Sequence, residues 1–345
     1  MGPRLGFNVD RSLAADVGAL VELGRQAVER GYDSVWVAAR SYDPFQISLA
    51  IEALARRAGR PVELGIPVVP ATAWASPVDL ARAAATTAEL TGGRFLLGVG
   101  VGHPNSPASD QDERERRPIA FARRYLTAIR GLLRGERVDE PLLGLAGATI
   151  GWTPPPVPLL LGALGPRMLR LSGEAADGVV LNWASPAYVA QAADLVRGGA
   201  RKAGRDPEAV LIVDQIRVCI DDDVEAARQA VARQFVSMTV RQPVEPPDRG
   251  YRAHAGRLGL SALVDELVER RGRGESVAQA AEAVPAEVVD QLAYAGPAAG
   301  APAAIRRLAA GADVILVRAV PLGPVEPSVL ATLEACGPEP GRRAG

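Results

Sequence analysis

The stretch LGALGPRMLRLSGEAADGVVLN, residues 161–182, combines residue types that can bind a phosphate. A helix is predicted to begin at Pro166, because proline fits the first helical turn, where its missing N–H would have no partner. Gly165 before it lets a ligand approach the backbone closely. The amides that follow the proline and the positive end of the helix dipole can hold an anion, and Arg167 adds a full charge. The stretch therefore predicts either a phosphate site or an ordinary short turn between a strand and a helix.

Apolar runs that alternate with helical segments must position this turn. We predict strands at residues 4–9, 33–38, 61–69, 94–102, 157–163, 178–182, 209–220 and 313–320. Continuous apolar runs indicate strands that are buried on both faces, which is typical of parallel sheets. Eight strands, each followed or preceded by a helix, favour a (β/α)8 TIM barrel. The alternative, an open doubly wound sheet, usually shows a G-x-G-x-x-G motif after the first strand, and none follows RLGFNV.

Three segments interrupt the alternation of strands and helices. They lie near residues 103–117, 135–156 and 243–295, and we interpret them as insertions because they lack the apolar content of separate domains. The sequence therefore predicts one barrel domain over residues 1–345 with these insertions.

Composition excludes several classes of protein. Thirty-nine basic and 40 acidic residues give a net charge of −1, so neither a nucleic acid nor another polyanionic partner is indicated. The two cysteines, Cys219 and Cys336, lie far apart in the sequence and suggest neither a disulfide framework nor a metal site; we expect both to be buried. No stretch approaches the length of a membrane span, and the N-terminus lacks the apolar run of a signal peptide. We expect a cytoplasmic protein that acts on a small molecule, away from membranes.

The functional groups of such a barrel stand at the carboxyl ends of its strands. The polar and aromatic side chains at those positions include Asn8, Arg40, Trp74, His103 and Asn182. Carboxylates are few there, which excludes the paired acid and base of a glycosidase. Neither a Ser/His/Asp set nor a cluster of metal ligands is apparent.

Each of these candidates has a functional and a structural interpretation. His103, in a glycine-rich loop, could relay a proton near neutral pH, or it could only bind its own loop. Arg40 could pair with an anion or face water, and Trp74 could wall a substrate site or belong to the core. We expect His254, in RAHAGRL, to be a solvated helix residue. The acidic run at 221–223 is expected to cap a helix.

Four stretches in this order resemble the luciferase-like monooxygenase superfamily, in particular its branch that uses the deazaflavin coenzyme F420. They are GYDSVWVA at 31–38, the segment 63–102 with ELGIPVVPATAW and RFLLGVGVG, the stretch at 161–182, and LAYAGPAAGAPAAIRRLAAGADVILVRAVPLG at 292–323. The resemblance implies a TIM barrel, F420 as the cofactor and a homodimer. It also implies a bulge in the third strand, with a non-proline cis peptide between Pro67 and Val68 that backs the deazaflavin ring.

The resemblance further assigns the tail of the cofactor to the stretch at 161–182. The residues that it implies for the phosphate are Gly165, Pro166, Arg167 and Met168, and those along the side chain of the cofactor are Gly162 and Ala163. Small residues would then admit the tail and helix amides would hold its phosphate.

The sequence departs from its relatives where they carry proton donors. Ala39-Arg40 replaces an acidic-histidine pair of many relatives, Asn8 stands in place of an acidic residue, and His103 replaces a glutamate of the sugar-phosphate-oxidising members. We therefore predict His103, Arg40 and Asn8 as catalytic residues, and Trp74 and Asn182 as substrate contacts. The function predicted is hydride transfer between C5 of F420 and a small organic substrate. The alternatives are an FMN-dependent monooxygenase and a non-catalytic flavin-binding protein.

Overall fold

A computed structural model describes residues 2–39, 42–71, 74, 76–102, 117–241 and 245–338. The strands, numbered in chain order, are β1 (Arg4–Val9), β2 (Ser34–Val37), β3 (Glu63–Pro70), β4 (Phe95–Gly100), β5 (Val138–Glu140), β6 (Leu145–Ala148), β7 (Leu159–Gly162), β8 (Gly178–Asn182), β9 (Leu211–Ile220), β10 (Ala293–Gly296) and β11 (Val314–Ala319). The helices are α1 (Val17–Glu29), α2 (Pro44–Arg57), α3 (Pro77–Thr91), α4 (Pro118–Leu133), α5 (Pro166–Ala175), α6 (Pro186–Lys202), α7 (Val224–Thr239), α8 (Gly250–Arg257), α9 (Ser261–Gly272), α10 (Val277–Ala281), α11 (Ala286–Leu292), α12 (Ala301–Leu308) and α13 (Val325–Ala335).

Eight of the strands form a closed parallel barrel. Their order is β9-β11-β1-β2-β3-β4-β7-β8, and pairing of β8 with β9 closes the ring. These are the eight strands predicted from the apolar runs, so the TIM-barrel prediction is confirmed. Parallel pairing follows from their sequences, since continuous Val, Leu and Ile runs suit strands that are covered by helices outside and by side chains within.

Two further pieces of strand structure lie outside the ring. The strands β5 and β6 form an antiparallel pair inside the segment interpreted as the 135–156 insertion. The short strand β10 extends the sheet along the second half of β9, with Ala293 opposite Arg217 and Gly296 opposite Ile220. The strand β10 was not predicted, because AYAG is short and only weakly apolar.

Trp36 fills much of the barrel interior. A Cβ on Gly65 would lie 2.4 Å from Trp36 Cε3, and one on Gly6 would lie 2.9 Å from its Nε1, so both neighbours must be glycine. Leucine and valine side chains from β4, β7, β8, β9 and β11 pack around the indole. Among the described residues, side chains therefore fill the interior around Trp36, below the carboxyl ends of the strands.

The helices α8 to α11 cover one side of the barrel mouth. They pack with α7 and β10 around a second apolar cluster that includes Trp183, Phe235 and Leu267. This segment is the one that interrupts the alternation at 243–295.

Two smaller expectations, on the cysteines and on the cap of α7, are also met. Cys219 and Cys336 are buried. The Asp223 carboxylate accepts the amide of Ala226 and caps α7. Among the described residues, no helix combines the length and apolarity needed to cross a membrane, and none of them form a cluster of potential metal ligands.

Candidate active site

A cavity of about 570 Å³ opens at the carboxyl ends of the strands. Its volume lies within the usual range for small-molecule sites, about 300–1,000 Å³. Among the described residues, the lining consists of Val68, Pro70, Gly100, Val101, Gly102, Pro118, Ile119, Gly162, Ala163, Leu164, Gly165, Pro166, Arg167, Met168, Val180, Asn182, Gln215, Asp248, Arg249, Gly250, Tyr251 and Arg257. Most of these are apolar or glycine, with polar groups concentrated on β8, β9, α5 and α8.

The floor of the cavity is built by a bulge in β3. The register of β3 against β4 shifts between Ile66 and Val69, where the resemblance places a bulge. Val68 is half-buried and lies between two glycines on neighbouring strands. A Cβ on Gly100 or on Gly162 would lie 2.9 Å from a Val68 methyl group, so these glycines leave the space that Val68 occupies.

Gly98 is expected to be essential for this bulge. A Cβ at this position would lie 1.8 Å from the Pro67 carbonyl oxygen and 2.8 Å from that of Ile66, and backbone atoms cannot rotate away. We predict that Gly98→Ala lowers the free energy of unfolding by about 3 kcal/mol, the upper end of the usual cost of overpacking, because the contact is with backbone. Urea denaturation measures it. Gly198→Ala is the matched control, because nothing lies within 4 Å of its added Cβ. That helical substitution should instead stabilise by about 0.5–1 kcal/mol, and equal effects of the two would contradict the role of Gly98.

The start of α5 forms one wall of the cavity and has exposed amides. Gly165 is the N-cap residue, Pro166 is the first helical residue, and no side chain caps the helix. The amides of Arg167 and Met168 have no partner among the described residues, since the first helical bond joins the Leu169 amide to Gly165 O. Exposed amides of this kind, together with the positive end of a helix dipole, can hold an anion.

Three arginines line the cavity, and two of them, Arg167 and Arg257, lie beside this helix start. Arg167, Arg249 and Arg257 all line the cavity, and Asp248 is the single acidic residue among the described lining. Arg257 Nη2 lies 3.5 Å from the position of a Cβ on Gly165. This end of the cavity therefore carries a surplus of positive charge.

Arg257 and Tyr251 reach the cavity because α8 is anchored to the end of β8. Tyr251, His254 and Arg257 are spaced three apart, so they lie near one face of the helix. Asn182 Nδ2 donates to Tyr251 Oη at 2.5 Å. Glu245 accepts the Tyr251 amide at 2.9 Å, and its carboxylate fills the space that a Cβ on Gly250 would need.

His254 is the main anchor, and the expectation that it is solvated was wrong. It is 1% exposed, its Nε2 lies 2.8 Å from the Trp183 carbonyl oxygen, and its ring meets Tyr188 edge to face. A carbonyl can only accept, so Nε2 carries the hydrogen. Burial lowers the pKa of His254 from 6.5 to about 4, with a smaller contribution from the Arg257 charge. The imidazole is therefore neutral at physiological pH, and Trp183, at φ +54°, has the strained backbone that presents the carbonyl.

The structure brings most of the predicted cofactor residues together. Those that line the cavity are Val68, Gly162, Ala163, Gly165, Pro166, Arg167 and Met168, and they are joined there by Asn182 from the predicted substrate set. Pro67 is buried behind the floor, with its carbonyl against Gly98. Arg40 and His103 lie outside the described residues.

Two predicted residues lie elsewhere than expected. Trp74 is absent from the cavity lining and packs edge to face on Phe45 of α2, at 5.2 Å between ring centroids, so its interpretation as a core aromatic fits its position. Asn8 is fully buried and also absent from the lining. It shares the inward face of β1 with Gly6, and both polar atoms of its amide lack a hydrogen-bond partner in the described structure.

The contribution of the 243–295 segment to the cavity was not predicted. Asp248, Arg249, Tyr251 and Arg257 line the cavity, yet they stand far from the strand ends in sequence. No local pattern marks them, because only the packing of α8 on β8 brings them to the mouth. Gln215 can be found from the sequence, since it lies two residues after Val213 on β9 and so points, like Val213, into the barrel.

A closed (β/α)8 barrel with an uncapped helix start beside a cleft at its strand ends has the architecture of a TIM-barrel enzyme. The sequence profile of the luciferase-like monooxygenase family matches residues 5–315, and the chain belongs to this family.

Its relatives include enzymes that use F420. The 5,10-methylenetetrahydromethanopterin reductase of Archaeoglobus fulgidus is 28% identical over 306 residues, covering 86% of this chain and 88% of the relative. The F420-dependent glucose-6-phosphate dehydrogenase of Gordonia bronchialis is 31% identical over 241 residues, covering 65% of this chain and 70% of the relative. Among solved structures, the coenzyme F420 dependent tetrahydromethanopterin reductase of Methanopyrus kandleri has a TM-score of 0.73 at 20% identity and covers 98% of both chains. This last likeness shows the fold.

Proposed function

We propose that this chain is an F420-dependent oxidoreductase that transfers a hydride between the deazaflavin C5 and a small organic substrate. The observation that carries the proposal is the uncapped start of α5, with Arg167 and Arg257 beside it, at one end of a cavity whose floor is Val68. An elongated molecule with an anionic tail and a flat apolar ring matches this division of the cavity.

The described residues fit F420 on two independent points. The first is the pair of unpartnered amides at Arg167 and Met168, which suit a phosphate. The second is Val68, which lines the cavity where Gly100 and Gly162 leave room for its side chain, so that it can support a flat apolar ring. The relatives that depend on F420 support the choice of this cofactor over FMN.

F420, when bound, supplies the hydride donor or acceptor, and the chain supplies binding, orientation and exclusion of water. The helix start and Arg257 would hold the phosphate, while Val68 would support one face of the ring. Asn182, Gln215 and Tyr251 are the polar groups available to orient the substrate in an otherwise apolar region. His103 and Arg40 stay in the proposed catalytic set, whereas Asn8, fully buried and absent from the cavity lining, would act only through its neighbours.

Titration of the purified chain with F420 and, separately, with FMN tests the proposal. Quenching of the intrinsic fluorescence of each cofactor measures binding, and we expect saturable quenching of F420 at lower concentrations than of FMN. Oxidation of reduced F420, followed at its absorbance band, then tests carbonyl, imine and alkene substrates. Tight FMN binding without F420 binding would overturn the proposal, whereas F420 binding without turnover of any substrate would favour a binding protein.

Two variants locate the phosphate within this titration. Arg167→Ala is expected to weaken F420 binding by about 1–3 kcal/mol, the range for a hydrogen bond to a charged group, and less so at high salt because Arg167 is exposed. Gly165→Val should weaken it more, since a branched side chain enters the space between the helix start and Arg257. Arg170→Ala, one turn along the exposed face of α5, is the control and should be silent. If all three are silent, the phosphate does not bind at α5.

A further inference from the structure

Tyr188 is absent from the cavity lining, but its hydroxyl contacts the turn from which α5 begins. It lies in the first turn of α6, where the Ser185 hydroxyl, just after β8, accepts its amide and caps the helix. The Tyr188 side chain is 5% exposed and reaches across to the end of the neighbouring strand, β7. There its hydroxyl donates to the carbonyl oxygen of Leu164, the residue before Gly165. One side chain therefore joins the carboxyl ends of two adjacent strands.

This hydrogen bond lies just beyond the end of the strand ladder. The last backbone bond between this turn and β8 is donated by the Ala163 amide. After it, the Leu164 carbonyl oxygen accepts no backbone amide from any described residue, so the Tyr188 hydroxyl is its partner. The contact fixes the chain one residue before Gly165, the N-cap of α5. Glycine allows the backbone many conformations, so a contact beside it restricts the direction in which the first amides of α5 point.

The ring of Tyr188 also contacts α8, the helix that carries Arg257. It meets His254 edge to face, with 4.8 Å between the ring centroids. Burial raises the pKa of Tyr188 from its ordinary value of 10, and the charge of Arg257, about one turn further along α8, lowers it by a smaller amount. The hydroxyl is therefore protonated at physiological pH and can donate. Tyr188 thus contacts both elements that contribute to the proposed phosphate site, the turn before α5 and the helix α8.

We propose that Tyr188 is a positioning residue for the phosphate of the cofactor. Through the Leu164 carbonyl it sets the direction of the amides at the start of α5. Through the ring of His254 it holds α8, and with it Arg257, beside that helix start. The inference rests on the proposed function, because the phosphate that it concerns is that of the bound cofactor. The effect of Tyr188 is therefore confined to the part of the affinity that the phosphate supplies.

Fluorescence titrations with two ligands test the inference: F420, and the deazaflavin fragment of F420 that ends before the phosphate. Tyr188→Phe keeps the ring against His254 and removes only the hydroxyl that reaches Leu164. We expect this variant to bind F420 about threefold to tenfold more weakly, as for the loss of an ordinary hydrogen bond, and to bind the fragment with less than about a twofold change. A role in stability alone would change both affinities alike.

Tyr32→Phe is the matched control. Tyr32 is buried, its hydroxyl donates to the Leu333 carbonyl oxygen at 2.9 Å, and its ring meets Phe7 edge to face. It precedes β2, so it lies at the amino ends of the strands, away from the cavity. Both variants lose one buried hydroxyl bond, so thermal unfolding followed by circular dichroism should show similar losses of stability. Tyr32→Phe should nevertheless change the affinity for either ligand by less than about twofold.

The outcomes separate this inference from the proposed function. A loss of F420 affinity in Tyr188→Phe that exceeds both the loss for the fragment and the loss in Tyr32→Phe supports the inference, and any other pattern overturns it. If the wild type does not quench F420, the proposed function fails, and inorganic phosphate, titrated by calorimetry, takes the place of F420. Phosphate binding that Tyr188→Phe weakens at least about threefold then supports the role of Tyr188 at α5. A smaller change, or no phosphate binding by the wild type, overturns it.

Discussion

Asp214→Asn is expected to raise the free energy of unfolding by about 4 kcal/mol above pH 7, and to have almost no effect near pH 3.5. Asp214 is 1% exposed, and neither carboxylate oxygen has a hydrogen-bond partner in the described structure. It alternates with Val213 and Gln215, which face the barrel interior, so it points with Ile212 and Ile216 into the apolar layer beneath the helices. This burial raises the pKa of Asp214 from 3.8 to about 7, against a smaller opposing effect of Arg217.

The sign of the effect follows from where the proton binds. Between pH 3.8 and 7 the unfolded chain loses the Asp214 proton while the folded chain keeps it, so the folded state becomes progressively less stable as the pH rises. Above pH 7 the folded chain carries a buried carboxylate and the penalty is complete. Asparagine, neutral at every pH, never incurs it.

Urea denaturation of the wild type and Asp214→Asn at pH 4, 6 and 8 measures the difference. Asp214→Leu is the second comparison, because it removes the polar group while keeping the same branched arrangement of heavy atoms in a larger side chain. A gain that is the same at all three pH values would show that Asp214 does not titrate in this range.

His254→Gln is expected to remove a loss of stability that the wild type suffers on acidification. The pKa of His254 is lowered from 6.5 to about 4, so between these values the unfolded chain binds a proton that the folded chain does not. The contribution of His254 is therefore complete above pH 6.5 and decreases by about 3 kcal/mol as the pH falls to 4. Glutamine keeps an N–H that can reach the Trp183 carbonyl, but it does not titrate.

The difference in unfolding free energy between wild type and His254→Gln, measured at pH 7 and pH 4, tests this expectation. On going from pH 7 to pH 4, the free energy of unfolding of His254→Gln should rise by about 3 kcal/mol relative to that of the wild type. His254→Leu, the control, leaves the Trp183 carbonyl without its donor and should be less stable than His254→Gln at pH 7. A constant difference between wild type and His254→Gln would show that the imidazole is not held neutral by burial.

The two groups act in opposite directions over nearly the same range of pH. Acidification from pH 6.5 to 4 relieves the penalty of Asp214 and imposes that of His254. The wild type should therefore change less in stability across this range than either single variant. The two contributions to stability can be separated by measuring each substitution both in the wild type and in the chain that carries the other substitution. The side chains lie on different elements, β9 and α8, so their effects are expected to add.

The sequence by itself determined the barrel and one half of the proposed cofactor site. Apolar runs at the barrel strands, separated by helical segments, leave few ways to bury both faces of every strand, and a closed parallel barrel is one. The helix start at Gly165-Pro166 could also be predicted from the sequence, because proline and glycine act through local backbone geometry. Tertiary structure was not needed to place Arg167 and Met168 there.

Only the tertiary structure decided what completes the site. Tyr251, Arg257 and the neutral His254 reach the mouth because α8 packs on the end of β8, about 70 residues earlier in the chain. Trp74 shows the opposite outcome, a predicted substrate contact that packs elsewhere. An aromatic residue near a strand end looks the same in the sequence whether its side chain faces a ligand or packs on Phe45. Charge behaves in the same way. The sequence gives the number of arginines, but which of them line the same cavity depends on which faces of α7, β9 and β11 pack together. Contacts between residues distant in the chain carry no local pattern, and these contacts set the burial, the pKa values and the electrostatics of this site.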